Sequence, residues 1–106
     1  MNEMIRPVQL VPTANGEIRG KEQLTCNAKN LHEFLGVKSA FKDWITRRIE
    51  DFGFSEDQDF CSFLSESSGG RPGRENHLTL DMAKELSMVE RNEKGKQARR
   101  YFIECE

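Results

Sequence analysis

The stretch HLTLDMAKELSMVERNEKGKQARRYFIECE, residues 77–106, indicates two amphipathic helices more clearly than any other part of the chain. Apolar residues recur at helical spacing from 82 to 89, a polar break covers 91–95, and the apolar recurrence resumes from 98 to 105. This pattern predicts a helix pair joined by a short turn. On the second helix Lys96, Arg99 and Arg100 stand at i, i+3 and i+4, so three cations share the face opposite the apolar stripe.

A second helix pair is predicted upstream. Asn27 is suited to cap a short helix that ends at Gly36, and Ser39 is expected to cap a longer helix that ends before Gly53. The apolar stripe of the longer helix is expected to contain Phe41, Trp44, Ile45, Ile49 and Phe52. The link of residues 36–38 is short and contains glycine, which is typical of a helix-turn-helix.

The remaining sequence predicts strands and turns. Residues 5–12 alternate weakly and the segment from Ile18 to Thr25 could pair with them, with a turn at Asn15-Gly16. Residues 59–64 and 76–80 predict two more strands around a loop rich in Gly, Ser and Pro. The predicted order is therefore β-β-α-α-β-β-α-α, a small single α+β domain with helix-turn-helix-like pairs and a hairpin loop.

Two blocks of the sequence resemble one known family, the N-terminal domain of AntA/AntB phage antirepressors. The first block is NAKNLHEFLGVKSAFKDWITRRI at 27–49, and the second contains LTLDMAKEL at 78–86, MVERN at 88–92 and GKQARRYFI at 95–103. The resemblance covers about residues 24–106. Residues 1–23 lie outside it and are expected to form an N-terminal strand or hairpin extension of the same compact domain.

The resemblance implies a protein of a phage or prophage that relieves transcriptional repression by binding a repressor or its regulatory complex. Related phage and large-virus domains, of the KilA-N and Bro-N kind, are thought to bind DNA. The alternative is therefore a DNA-binding transcription regulator that uses the helix-turn-helix and the basic hairpin loop. A phage repressor is the first expected partner, and double-stranded DNA is the second.

Composition favours a small globular protein whose cations would act locally. The 106-residue chain has 16 Lys and Arg against 18 Asp and Glu, a formal net charge of −2, whereas dedicated nucleic-acid binders are usually basic overall. No apolar run reaches the roughly 18 residues of a membrane helix and no signal peptide is evident, so we expect a cytoplasmic protein. The three widely spaced cysteines form no disulfide or zinc pattern.

Three groups of residues are candidates for binding an anionic partner. They are Lys42, Thr46 and Arg47 on the helix that follows the short link, Arg71 and Arg74 in the hairpin loop, and Lys96, Arg99 and Arg100 on the last helix. Each group could also be an ordinary solvated surface, because Arg47 could pair with Asp43 or Asp51 and Arg100 with Glu104. Helical spacing does not separate nucleic acid from an acidic protein surface.

The sequence contains no recognisable set of catalytic residues. His32 and His77 each lack a second ligand at helical spacing, and neither a nucleophile motif nor a phosphate-binding glycine loop is present. We therefore expect a protein that is not an enzyme, with no metal, cofactor or small-molecule substrate. Ile103 lies on the cationic side of the last helix, which suggests homo-oligomer formation through apolar surface near this helix.

Overall fold

The computed structural model describes residues 10–65 and 73–105, without the side chains of residues 63–65, 73 and 74. The elements in chain order are β1 Thr13–Ile18, β2 Lys21–Asn27, α1 Ala28–Leu35, α2 Phe41–Phe52, β3 Phe60–Ser65, β4 Gly73–Thr79, α3 Leu80–Val89 and α4 Glu93–Cys105. This confirms the predicted α+β class and the order β-β-α-α-β-β-α-α. Most of the strand predicted over 5–12 lies outside the described residues.

The first hairpin turns at a different place from the one predicted. Asn15 and Gly16 lie inside β1, paired with Leu24 and Gln23, and the turn is Arg19-Gly20. Both turn residues have positive φ, 62° and 69°, which matches a two-residue hairpin turn of the primed type. The Asn-Gly prediction was wrong because local turn preference was overridden by a register that buries Ile18, which is 1% exposed.

The two hairpins form one antiparallel sheet of four strands in the order β1-β2-β4-β3. The central contact pairs β2 with β4 from Thr25 opposite Thr79 to Asn27 opposite His77. Helices α1 and α3 therefore leave the sheet from adjacent strands, since each begins directly after one of these paired ends. This arrangement brings both helix pairs onto a common core.

Both caps of α1 and the end of α2 at Gly53 agree with the prediction, but the N-cap of α2 does not. The side chain of Asn27 accepts hydrogen bonds from the backbone N–H groups of Lys29 and Asn30, and Gly36 ends α1 in the left-handed region. Helix α2 begins after Ala40, which gives no side-chain cap. The carbonyl oxygen of Ser39 instead lies within hydrogen-bond distance of His32 Nε2, at 2.8 Å.

The core lies between the sheet and the four helices. Its buried members are Val11, Cys26, Ala28, Leu31, Leu35, Trp44, Ile45, Phe60, Leu78, Leu80, Met82, Ala83, Leu86, Ala98 and Phe102. Trp44 is only 1% exposed, which confirms that it anchors α2 in the core. The prediction that Phe52 belongs to the buried stripe was wrong, because α2 extends past the core at this end and leaves Phe52 47% exposed.

Helices α3 and α4 pack at close range through a glycine. Gly95 lies in the first turn of α4, not in the connection where the sequence pattern had placed it. A Cβ built at this position would overlap the carbonyl oxygen of Ser87 on α3, so only glycine permits this separation. The connection itself is residues 90–92, and Asn92 caps α4 by accepting a 2.7 Å hydrogen bond from the Gly95 N–H.

Candidate partner-binding surface

The outer face of α4 carries the cations predicted from the sequence. Lys96, Arg99 and Arg100 are all exposed, while Ala98 and Phe102 on the opposite side are buried. Ile103 completes the outer face at i+7 from Lys96 and is 44% exposed, as expected from its position on the helix. The face therefore combines positive charge with one large apolar side chain.

A groove lies beside this face, between the end of α3 and the start of α4. Its volume is about 520 Å³. The lining residues are Ser87, Met88, Arg91, Asn92, Glu93, Gly95, Lys96 and Arg99. We call Met88, Arg91, Lys96 and Arg99 the basic groove, because three cations surround the exposed thioether of Met88, which is 54% exposed.

Backbone geometry places the cations of the basic groove. Arg91 has a positive φ of 52°, so the chain reverses sharply after α3 and directs α4 back along it. The Gly95 contact then fixes the distance between the two helices, which puts Lys96 and Arg99 opposite the last turn of α3. The groove is therefore a product of the tight helix pair.

The positive charges of the basic groove are mostly not neutralised by neighbouring carboxylates. Among the described residues, no carboxylate forms a salt bridge with Arg91, Lys96 or Arg99. Glu93 is the one acid that lines the groove, against three cations. Arg100 does not line it and projects toward the side of α4 that carries Glu104, so Lys96 and Arg99 are the stronger candidates for binding an anion.

The outer face of α2 differs because its charges alternate in sign. Lys42, Thr46 and Arg47 are exposed, as predicted, but so are Asp43 and Glu50. At 100° per residue, the two acids project between Lys42 and Arg47, and both lie within about one turn of Arg47, at i−4 and i+3. The predicted Arg47 pairs with Asp43 or Asp51 are absent from the described part of the structure, yet the face offers little net positive potential.

The predicted loop site falls on side chains that the structure does not describe. Arg71 lies outside the described residues, as does the side chain of Arg74, whose backbone belongs to β4. Among the predicted cations with described side chains, Lys96 and Arg99 line one groove, and Met88 and Arg91 line it with them.

A buried polar contact connects α2 to the end of α3. Glu90 Oε2 accepts hydrogen bonds from Trp44 Nε1 at 2.9 Å and from an Arg48 guanidinium nitrogen at 3.1 Å. The Arg48 and Glu90 side chains are 22% and 13% exposed, so this charge-assisted pair is partly shielded from water. Because Glu90 directly precedes Arg91, the contact also fixes one wall of the basic groove.

Two of the three cysteine thiols are held in their protonated form. Burial raises the pKa of the Cys26 thiol to about 12, and burial also raises the pKa of Cys61. A thiol in this state is a poor nucleophile and metal ligand. Across residues 10–65 and 73–105, no group of three or more His, Cys, Asp or Glu side chains could hold a metal ion, and no helix is long and apolar enough to cross a membrane.

Helical periodicity carries a signal for Met88, although the sequence-based prediction did not include this residue. At 100° per residue, Met88 projects about 160° away from the buried Leu86, so a helical projection of α3 places Met88 on its outer side. Arg91 had no comparable signal. Its role depends on a positive φ in the helix connection, which arises from the packing of the two helices.

Residues 26–92 match the family model described as AntA/AntB antirepressor. This range begins in β2, includes α1 to α3 and ends at the residue that caps α4. It covers more than half of the chain and contains Met88 and Arg91, whereas Lys96 and Arg99 follow it. Searches of curated proteins and of solved structures gave no match.

Proposed function

Because the chain belongs to the AntA/AntB antirepressor family, we propose that it relieves transcriptional repression by binding a repressor protein through the basic groove. The antirepressor role follows from the family. The contact surface is our inference, and one observation carries it. Three cations without described salt-bridge partners surround an exposed Met88 in a chain whose net charge is −2.

The composition of the groove favours a protein partner over DNA. Phosphate binding depends mainly on charge, whereas Met88 in the groove and Ile103 on the adjacent outer face of α4 add apolar area that a folded protein can cover. Methionine adapts its shape to a partner, and arginine is enriched at the energetic centres of protein interfaces. An acidic surface of a repressor with one apolar side chain at its centre would satisfy these features.

The test compares two double variants that each remove two exposed helix cations. Lys96→Ala with Arg99→Ala alters the basic groove, and Lys42→Ala with Arg47→Ala is the matched control on α2. The tagged protein is expressed in cells that carry the prophage, and the repressor that co-purifies with it is identified by mass spectrometry. We then add each variant to the complex of this repressor with its operator DNA and measure how much repressor dissociates.

The repressor should leave its operator when the wild type or the α2 variant is added. The groove variant should need at least about a tenfold higher concentration for the same release, mainly because it associates with the repressor more slowly. Equal activity of the groove variant and the wild type would contradict the role of the groove. Failure of the wild type to release the operator would contradict repressor binding itself. Melting temperatures of both variants serve as the folding control.

The alternative function, a DNA-binding regulator, is favoured by the exposure of Lys42, Thr46 and Arg47 on one helix that follows a short connection. Fluorescence anisotropy with a labelled duplex tests it directly. Direct DNA binding would weaken steeply with salt, and each substitution that removes a phosphate-binding cation would reduce the slope of log K against log salt by about one. In that case the α2 variant, rather than the groove variant, should show the larger decrease in affinity.

A further inference from the structure

The end of α2 forms a second exposed patch whose chemistry is opposite to that of the basic groove. Asp51, Glu56 and Asp57 are exposed there, in the same segment as Phe52, which is 47% exposed. We call these residues the acidic knob. Arg47 is one turn before Asp51 and is the nearest exposed cation on the same helix.

The acidic knob has a fixed shape. Gly53 ends α2 with a positive φ of 70°, and the ring of Phe54 packs against that of Phe52 at 6.3 Å between centroids. The following loop is closed by a 2.9 Å hydrogen bond from the Ser55 N–H to Asp59 Oδ2 and by one from the Asp59 N–H to the Ser55 carbonyl. An ordered knob loses little conformational entropy when it binds.

The knob and the groove are complementary in charge, and each includes one exposed apolar side chain. We propose that the acidic knob of one copy binds in the basic groove of a second copy, with Phe52 against Met88 and the carboxylates against Arg91, Lys96 and Arg99. The groove has a volume of about 520 Å³ and is open to solvent, so a phenyl ring has room to lie beside Met88.

Such a contact is heterologous, because two different surfaces of the chain meet. A bound pair still offers one free knob and one free groove, so association continues into chains or closes into a ring. The surfaces are small and charged, which indicates a weak contact that salt disrupts. Self-association would also cover the groove proposed for the repressor, so the two binding events would compete.

The experiment measures the average mass of the full chain by light scattering over a range of concentrations. In about 0.1 M salt, where charges act over about 10 Å, the mass should rise above the 12.2 kDa of one chain. In about 1 M salt, where the Debye length is about 3 Å, the mass should return to that of the monomer. Phe52→Ala should weaken the association at the lower salt concentration.

Charge reversal identifies the surfaces. Asp51→Lys with Glu56→Lys reverses the knob, and Lys96→Glu with Arg99→Glu reverses the groove, so each variant alone should be monomeric. A mixture of the two should associate again, because knob and groove are then opposite in charge between the variants. Lys29→Glu with Lys38→Glu changes the net charge as the groove reversal does but lies on exposed positions elsewhere, and should associate like the wild type.

A wild-type protein that stays at 12.2 kDa in low salt at high concentration would overturn the proposal. So would reversed variants that still associate alone, or a mixture that remains monomeric although both variants melt like the wild type. The knob reversal distinguishes this proposal from the proposed function. It should abolish self-association, but because the groove is unchanged, the variant should still release the repressor from its operator.

Discussion

The two helix pairs differ in how they are held together and in what they present to solvent. Helices α3 and α4 are joined by residues 90–92 and touch through the backbone at Gly95, so their separation is fixed. Helices α1 and α2 are joined by residues 36–40 and meet through rings, with His32 packed against Phe41 at 5.6 Å and Trp44 at 5.2 Å between centroids. The first kind of contact produces a groove between the helices, and the second fills that space with side chains.

The outer faces follow the same division. The α4 face has cations without described carboxylate partners, and the α2 face alternates cations with acids. The groove that we propose as the binding surface therefore lies where the two helices touch through backbone and where one charge sign dominates. The contact of Glu90 with Trp44 and Arg48 joins the two pairs, so the groove depends on packing in both.

The largest expected effect is on the ring-packed pair. Trp44→Ala removes a side chain that is 1% exposed and the hydrogen bond it donates to Glu90. We expect a loss of about 3–5 kcal/mol in the free energy of unfolding, a large fraction of the roughly 5–15 kcal/mol of a typical domain. Urea denaturation followed by far-UV circular dichroism measures it. A loss below about 1 kcal/mol would mean that the core tolerates the cavity and that α2 is held elsewhere.

The next effect is on the backbone-packed pair. In Gly95→Ala the added methyl group gains about 1 kcal/mol of helix propensity, but it meets the Ser87 carbonyl, and overpacking of this kind costs about 1–3 kcal/mol. Because a backbone atom cannot rotate away, we expect a net destabilisation and a weaker groove. Gln97→Ala, at an exposed position of the same helix, should be neutral or slightly stabilising. If both variants gain stability in the same denaturation assay, the helices separate more easily than the contact implies.

The sequence predicted the helices better than the surface between them. Periodicity identified the order of elements, the Asn27 cap and the burial of Trp44, because these depend on residues near one another in the chain. The turn at Arg19-Gly20 and the exposure of Phe52 depend on strand register and on where the core ends, which are tertiary properties. Of the basic groove, the predicted Lys96 and Arg99 are joined by Arg91, which only the chain reversal brings beside them.

A smaller effect is expected at the contact between the two pairs. Glu90→Gln keeps an oxygen that can accept a hydrogen bond but removes the charge beside Arg48, whose Nε is buried and has no hydrogen-bond partner in the described structure. We expect a loss of about 1 kcal/mol, measured by thermal unfolding. The matched control is Glu85→Gln on the exposed side of α3, which should be neutral. Equal melting temperatures for the two variants would show that the Glu90 charge contributes nothing to stability.

The smallest effect on stability is expected at the two outer faces, where the difference in binding should be greatest. Lys96→Ala with Arg99→Ala, and Lys42→Ala with Arg47→Ala, remove exposed side chains that have no salt bridge within the described structure, so each pair should change the free energy of unfolding by less than about 0.5 kcal/mol. The α2 variant should even lose a little more, because Asp43 and Glu50 lie within one turn of Arg47, whereas removing like charges from the groove relieves repulsion. Thermal unfolding at low salt, where surface charges act most strongly, measures this difference. A groove variant that is clearly less stable than the α2 variant would indicate that Lys96 and Arg99 support the fold. A weaker effect of this variant on the repressor–operator complex would then no longer identify a binding surface.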